Sequence, residues 1–380
     1  MRYPLSLLCF LFFFNLVFAR QGVDSSGLPT AGSKSSVSTL YRTTIRFRNP
    51  RNTFYPGQFN HFEVIDERAD TARIGIHART SPFSYNERQL VFERPASTEI
   101  AEYLNAHFSR HGTPFAALLV LRTFWLSDAN YTREDLAKDP AKKLDNFQIR
   151  LKAEVYAGED SLYIPVFRYD TLVTTRPRDY ESREGFYPML ENCISNLFHD
   201  LADSASLVAE HKAGDGRKVS REQIREFNRS RFSMPTDSGT AYAAGVYASF
   251  EEFRNNAPSI HDFEIKTEGK EILLYIKSAT GPSYYSHDVW GYSDGVSLFI
   301  MRNGTLWPAW KEGKAIYFYG ISNRINGGPG DTYIPGTPGV TTPGGAMVGG
   351  APGYYVPSIT TTEKELKCIY TVDMDTGEVY

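Results

Sequence analysis

The sequence predicts an α+β protein in two parts: an N-terminal, mainly antiparallel sheet with two helices on one face, followed by a β-rich barrel or sandwich domain. Three observations carry this expectation. Residues 148–157 alternate strictly, with Ile149, Leu151, Ala153 and Val155 on one side and Gln148, Arg150, Lys152 and Glu154 on the other, the period of a strand with one wet face. Leu190, Cys193, Ile194, Leu197, Leu201, Ala205 and Val208 recur as a single helical stripe. After Gly245, short β-rich runs are separated by Glu-Gly, Asp-Gly and Asn-Gly turns. A chain of 380 residues, 41 % apolar and 14 % aromatic, is long enough for two or three cores. Its net charge of -3, from 41 Lys and Arg against 44 Asp and Glu, offers no basic excess for a nucleic acid.

Residues 1–19 read as a cleaved signal peptide. A positive start, Met1-Arg2-Tyr3, precedes an apolar run from Leu5 to Ala19 that ends in the small-residue pattern Val17-Phe18-Ala19. About 20 apolar residues are needed to span a bilayer as a helix, and this run is shorter. Cys9 lies inside the run, behind Leu7-Leu8, where a lipid-modified cysteine is not expected. The expected location is therefore extracytoplasmic: periplasm, outer surface or secreted. No later stretch reaches membrane length, so no transmembrane span is expected in the mature chain.

Residues 20–58, rich in Ser, Thr, Gly and Arg, read as a flexible lead-in. The α+β domain is placed at 59–210. It begins with β-rich runs within 61–78 and at 89–93. Ile100, Tyr103, Leu104 and Phe108 then mark a helix, with Ser97 or Thr98 as N-cap and Gly112 and Pro114 as its stop. Residues 115–126 read as a buried strand and 148–157 as the alternating one. Gly158-Glu159-Asp160 turns into 162–169 to make a hairpin, whose Pro165 marks an edge or a bulge. The helix over 188–208 closes the domain.

Residues 211–244 read as a linker with a short basic helix opened by the capping pattern Ser220-Arg221-Glu222-Gln223. Its charge run is either a solvated connector or a dock for anionic lipid or glycan. The β-rich domain spans 245–380. Ser249 and Glu252 cap a short helix, and strands follow at 263–266, 271–277, 289–292, 296–302, 305–310, 315–319 and 366–372. Within it, the Gly/Pro tract 326–357 reads as a mobile loop.

Candidate chemistry is sparse. His107 and His111 have the spacing of half a metal site but lack a third ligand nearby, and His199 with Asp203 reads more simply as a solvated pair. Asp373-Met374-Asp375-Thr376-Gly377-Glu378 begins like a calcium loop, but the chain ends before the loop can be completed, so a tight turn explains it better. No nucleophile elbow, zinc-protease pair, phosphate loop or dinucleotide pattern occurs. No metal or cofactor is expected. Cys193 and Cys368 fall at apolar positions and read as free, buried thiols. The most notable cluster is aromatic: Tyr284, Tyr285, His287, Trp290, Tyr292, Trp307 and Trp310, beside Asp294. Such rings either bind a sugar or peptide or fill the core between sheets.

Val64-Ile65-Asp66-Glu67-Arg68 to Ile74-Gly75, with the strand and helix order after it, resembles small bacterial envelope lipoproteins and accessory proteins. Gly245-Val246-Tyr247, Phe250-Glu251-Glu252-Phe253, Asn256, Pro258, Val289 to Gly295 and Asp375-Thr376-Gly377 together resemble a domain of uncharacterised exported proteins of Bacteroidota. Neither resemblance implies an activity. The expectation is an exported, non-catalytic envelope module for binding or assembly, its partner an envelope protein or a glycan. The alternative is a secreted hydrolase of glycan or peptide, marked by three or more acidic or His side chains converging in one pocket.

Overall fold

The computed structural model describes residues 37–48, 58–81, 84–129, 137–139, 147–159, 161–175, 186–212, 217–269, 271–277, 281–322, 331–334, 340–341, 347–348, 354–357 and 366–380. The expected signal peptide lies outside the described residues. The architecture is α+β, with an eight-stranded sheet, a six-stranded sheet and a three-stranded sheet as its main layers.

The first sheet contains β1 (Tyr41–Thr44), β2 (Phe59–Asp66), β3 (Gly75–Ser81), β4 (Ser84–Val91), β5 (Phe115–Asp128), β6 (Phe147–Glu159), β7 (Leu162–Thr175) and β8 (Val219–Ser220). Its order is β1-β4-β3-β5-β6-β7-β8, with β2 also paired to β5. Most of the ladder is antiparallel, while β1–β4, β2–β5 and β3–β5 are parallel. β1 lies within the expected lead-in, and Val37 just before it is fully buried. The run 41–44 is too short to show a period of its own, so its pairing with β4 decides its conformation. Pro165 sits at a register shift of β7, whose outer edge pairs, among the described residues, only with the two residues of β8. Proline has no N–H to give to a ladder, which suits both positions.

One face of this sheet is covered by two helices, α1 (Ala96–Phe108) and α2 (Phe186–Lys212). Ile100, Tyr103, Leu104 and Phe108 of α1 and Leu190, Ile194, Leu197, Leu201 and Ala205 of α2 pack onto Leu119, Leu121, Ile149, Leu151 and Val155. The N-cap of α1 is Pro95, without a side-chain cap bond, rather than Ser97 or Thr98. A third helix, α3 (Arg221–Phe232), opens with the capping box of Ser220 and Gln223. It lies on the opposite face, where Ile224 meets Ile65, Leu118, Val120, Tyr156 and Tyr163.

The second sheet is wholly antiparallel, in the order β21-β16-β15-β14-β13-β9. Its members are β9 (Gly245–Tyr247), β13 (Gly291–Ser293), β14 (Leu298–Arg302), β15 (Thr305–Glu312), β16 (Ala315–Ser322) and β21 (Leu366–Thr371). Asn303 and Gly304 both take positive φ, 51° and 83°, as the tight turn between β14 and β15 requires. Between β9 and β13 lie α4 (Phe250–Arg254) and the strands β10 (Phe263–Glu268), β11 (Glu271–Ile276) and β12 (Tyr284–Tyr285) of the three-stranded sheet. Ile272 and Leu274 of that sheet pack on Val246, Tyr292, Phe299 and Leu306, giving a sandwich. The opposite face of the second sheet gathers Tyr247, Leu298, Ile300, Ile316, Phe318 and Tyr370 around Phe253 of α4. Inside the tract 326–357, β17 (Asp331–Ile334) pairs with β20 (Tyr354–Pro357), and β18 (Val340–Thr341) with β19 (Met347–Val348). The described part of this tract thus includes paired strands. Its Gly and Pro composition did not lead us to expect them, because backbone pairing needs no apolar period.

The two large sheets meet directly. Val37, Ile76 and Trp125 from one side pack with Ala315, Tyr317, Ile369 and Tyr380 from the other.

Candidate functional site

The site forms where the two sheets join, on the face of β5 opposite the two covering helices. Leu119 and Leu121 face the helices, and so do Phe124 and Leu126. Strict alternation would turn Phe124 the other way, but the ladder to β6 shifts register between Leu121 and Thr123. The extra residue turns Phe124 and Leu126 into the helix-covered core, while Arg122, in phase with Leu118 and Val120, faces the opposite side. There it donates to Asn228 of α3 at 2.8 Å and to Asp375 of the C-terminal turn at 2.7 Å.

That same face of β6 carries Lys152, whose ammonium lies 2.5 Å from Asp373. Asp373 also accepts from the Tyr380 hydroxyl. Arg150 reaches Asp170 at 2.9 Å and Glu378 at 3.6 Å, and Glu154 pairs with Arg168 and accepts from Tyr156. The polar face of this strand was expected to be wet. Instead, Gln148, Lys152 and Glu154 are buried. Period-2 alternation identifies two chemically different faces, but whether the polar one meets water depends on what packs there. In this chain, much of its charge meets the turn after β21.

A second charged group lies nearby. Arg73 bonds Asp70 at 2.8 Å and Glu312 at 2.7 Å. Asp70 accepts from the Tyr317 hydroxyl, and Glu312 accepts from the backbone N–H of Val37 at 2.6 Å. Burial and the adjacent Asp70 carboxylate push the Tyr317 hydroxyl far above its usual range. Burial opposes ionisation of Glu312, yet the Val37 amide and the Arg73 guanidinium together hold its carboxyl below the usual range. Asp375 moves the other way, because burial outweighs the attraction of Arg122.

Between these groups is a cavity of about 60 Å³ lined by Glu67, Asp70, Asp237, Asp373 and Asp375, with Arg68, Arg122, Arg229 and Lys314 among the cations. At about 10–15 Å³ per water, it admits roughly four to six waters, and hence only a small molecule or the tip of a longer one. Five acids therefore converge, although four are already engaged: Asp70 by Arg73, Asp237 by Lys311 at 2.6 Å, Asp373 by Lys152 and Asp375 by Arg122. Sequence reasoning did not identify this constellation, whose members are dispersed from Glu67 to Tyr380. The only local signal was the Asp373–Glu378 turn, which is closed by a bond from the Gly377 N–H to the Asp373 carbonyl.

The aromatic residues singled out from the sequence do not form one surface. Trp290 stacks on Phe253 with ring centroids 4.2 Å apart, and Trp307 packs in the same cluster. Tyr292 is on the other face of the sheet, its hydroxyl pushed up to about 12 by burial and the Asp294 charge. Trp310 packs against Tyr317 at the junction of the sheets. Asp294 is used in its own turn, accepting from the N–H groups of Val296 and Ser297. Tyr284, Tyr285 and His287 are exposed on and beside β12.

Among the described residues, no group of three His, Cys, Asp or Glu is placed to hold a metal ion. The ring of His107 packs on Tyr103, and His199 meets Asp203 at 3.2 Å. Cys193 and Cys368 form no disulfide and are partly buried. Among the described residues, no helix is long and apolar enough to cross a membrane.

No family model matches the chain, and no curated protein sequence does. Among solved structures, a Xanthomonas campestris protein of the family DUF330 is 11 % identical with a TM-score of 0.28, covering 47 % of this chain and 100 % of its own. An uncharacterized protein is 8 % identical with a TM-score of 0.21, covering 45 % of this chain and 98 % of its own. Similarity at this level assigns neither a fold nor a function.

Proposed function

We propose that this chain is an exported, non-catalytic envelope module for binding or assembly. The observation that carries the reading is the engagement of charge at the domain junction. Lys152, Arg122 and Arg73 each meet a carboxylate supplied by the other half of the chain. Groups held in this way join two β-rich halves into one unit and leave recognition to the outer surfaces. The segment 1–19 supports export, and the resemblance of the C-terminal motifs to exported Bacteroidota proteins points the same way. Envelope fractionation with intact-mass measurement tests the location: the native product should lack residues 1–19 and separate from the cytosol.

The second reading, a secreted hydrolase, is favoured by the convergence of five acids on the junction cavity. Asp375 lies in the junction cavity with a raised carboxyl pKa, as a general acid requires. Assay of the purified protein on glycan and peptide substrates separates the two. Hydrolysis that is abolished by Asp375→Asn while the fold is retained would establish the enzyme and overturn the binding module.

A further inference from the structure

We propose that the outward face of the β10–β12 sheet is a platform for a neutral or amino-sugar glycan, carried by Tyr275, Tyr285 and His287. The inference rests on the binding-module reading and gives it a ligand class.

The argument begins with the alternation of β11. Ile272 and Leu274 turn inward onto the six-stranded sheet, so Tyr275 turns outward. Tyr285 is directly opposite Tyr275 in the ladder and shares its side. The rings of Tyr275 and Tyr285 are 6.0 Å apart, and those of Tyr285 and His287 are 5.8 Å apart, forming a continuous row. The row continues to Lys266, whose ammonium lies 4.5 Å from the centre of the Tyr275 ring. Tyr285 is 40 % exposed, yet its hydroxyl donates to the Gly304 carbonyl, which fixes the ring before any ligand arrives. A ring ordered in advance loses little entropy on binding.

The surroundings favour a sugar over a protein partner. Protein interfaces are depleted of charge at their centres, whereas here Glu264 faces Tyr275 across the ladder and Glu268 lies 3.5 Å from its hydroxyl. Carboxylates beside aromatic faces suit a pyranose, whose C–H faces lie on rings while its hydroxyls donate to the acids. The acidic rim, with Glu271 and Asp288 in addition, disfavours an anionic polymer.

Affinity electrophoresis of the full mature chain in gels containing glucan, mannan, xylan, glycol chitosan or polygalacturonate tests this directly. Retardation is expected in at least one neutral or amino-sugar polymer and not in polygalacturonate. Tyr275→Ala and Tyr285→Ala should each weaken it at least tenfold with unchanged circular dichroism. Tyr285→Phe, which keeps the ring but removes the anchoring hydroxyl, should bind more weakly than wild type and more tightly than Tyr285→Ala. No retardation in any neutral or amino-sugar gel overturns the proposal, as does retardation untouched by the alanine variants or retardation only by polygalacturonate. A protein partner cross-linked at another face, with every gel negative, removes the glycan platform while leaving the binding module intact.

Discussion

Lys152 on β6 and Asp373 after β21 form a buried ion pair 2.5 Å long across 221 residues of sequence. Removing one member of such a pair strands the other charge away from water, at a cost of about 3–5 kcal/mol. Lys152→Met should therefore lower unfolding stability in urea by that order, and Asp373→Asn by a similar amount. The double variant Lys152→Met with Asp373→Leu should recover most of the loss. Strict additivity of the two single effects would show that the pair is uncoupled.

Glu312 sets a pH dependence at the same junction. Its folded pKa lies below the unfolded value, so its ionised form favours the fold above about pH 4.5. That contribution is lost as pH falls through the folded pKa. Glu312→Gln should cost about 1–3 kcal/mol at pH 7, and the difference from wild type should shrink toward zero in acid. Asp375 titrates with the opposite sign: its raised folded pKa favours the fold below about pH 3.8, and this contribution is lost as pH rises through the folded value. Asp375→Asn should remove that component from the denaturation profile. Paired pH–denaturation series for the two variants check both signs.

Gly377 is predicted to resist substitution. It has φ +77°, and a Cβ there would meet the Phe250 ring and Cβ at 2.4–2.9 Å. Gly377→Ala should cost about 1–3 kcal/mol from crowding, in addition to the backbone penalty of a left-handed alanine. Because part of this effect is contact with one ring, combining Gly377→Ala with Phe250→Ala should cost less than the sum of the single effects. Thermal melts of the three variants measure the coupling.

Trp290 separates core aromatics from surface ones. Stacked on Phe253, it should behave as packing: Trp290→Ala should cost about 3–5 kcal/mol. The folded fraction should keep whatever glycan affinity the wild type has. A variant of normal stability but lost affinity would place Trp290 at a binding surface instead.

Several elements were legible because their cause is local. The stripe from Leu190 to Val208 lies within α2 because helical spacing alone makes one apolar face. Ser220 and Gln223 start α3 because a capping box satisfies backbone groups within four residues. Asn303-Gly304 makes its turn because few other pairs accept positive φ twice. The junction was not legible. Arg122 shares a face with Leu118 and Val120, and nothing in 115–126 marks the distant Asn228 and Asp375 that it will meet.

By itself, the sequence determined the α+β class, the two long amphipathic helices and the presence of two chemically distinct faces on β6. Only the tertiary structure decided that the polar face is covered, that Asp373 and Glu378 are among its partners, and that the aromatic residues divide between interior and surface. Periodicity is set by backbone geometry over a few residues and can be read from the chain. The environment of a face is set by a segment more than two hundred residues away, and neither local period nor local charge contains that information.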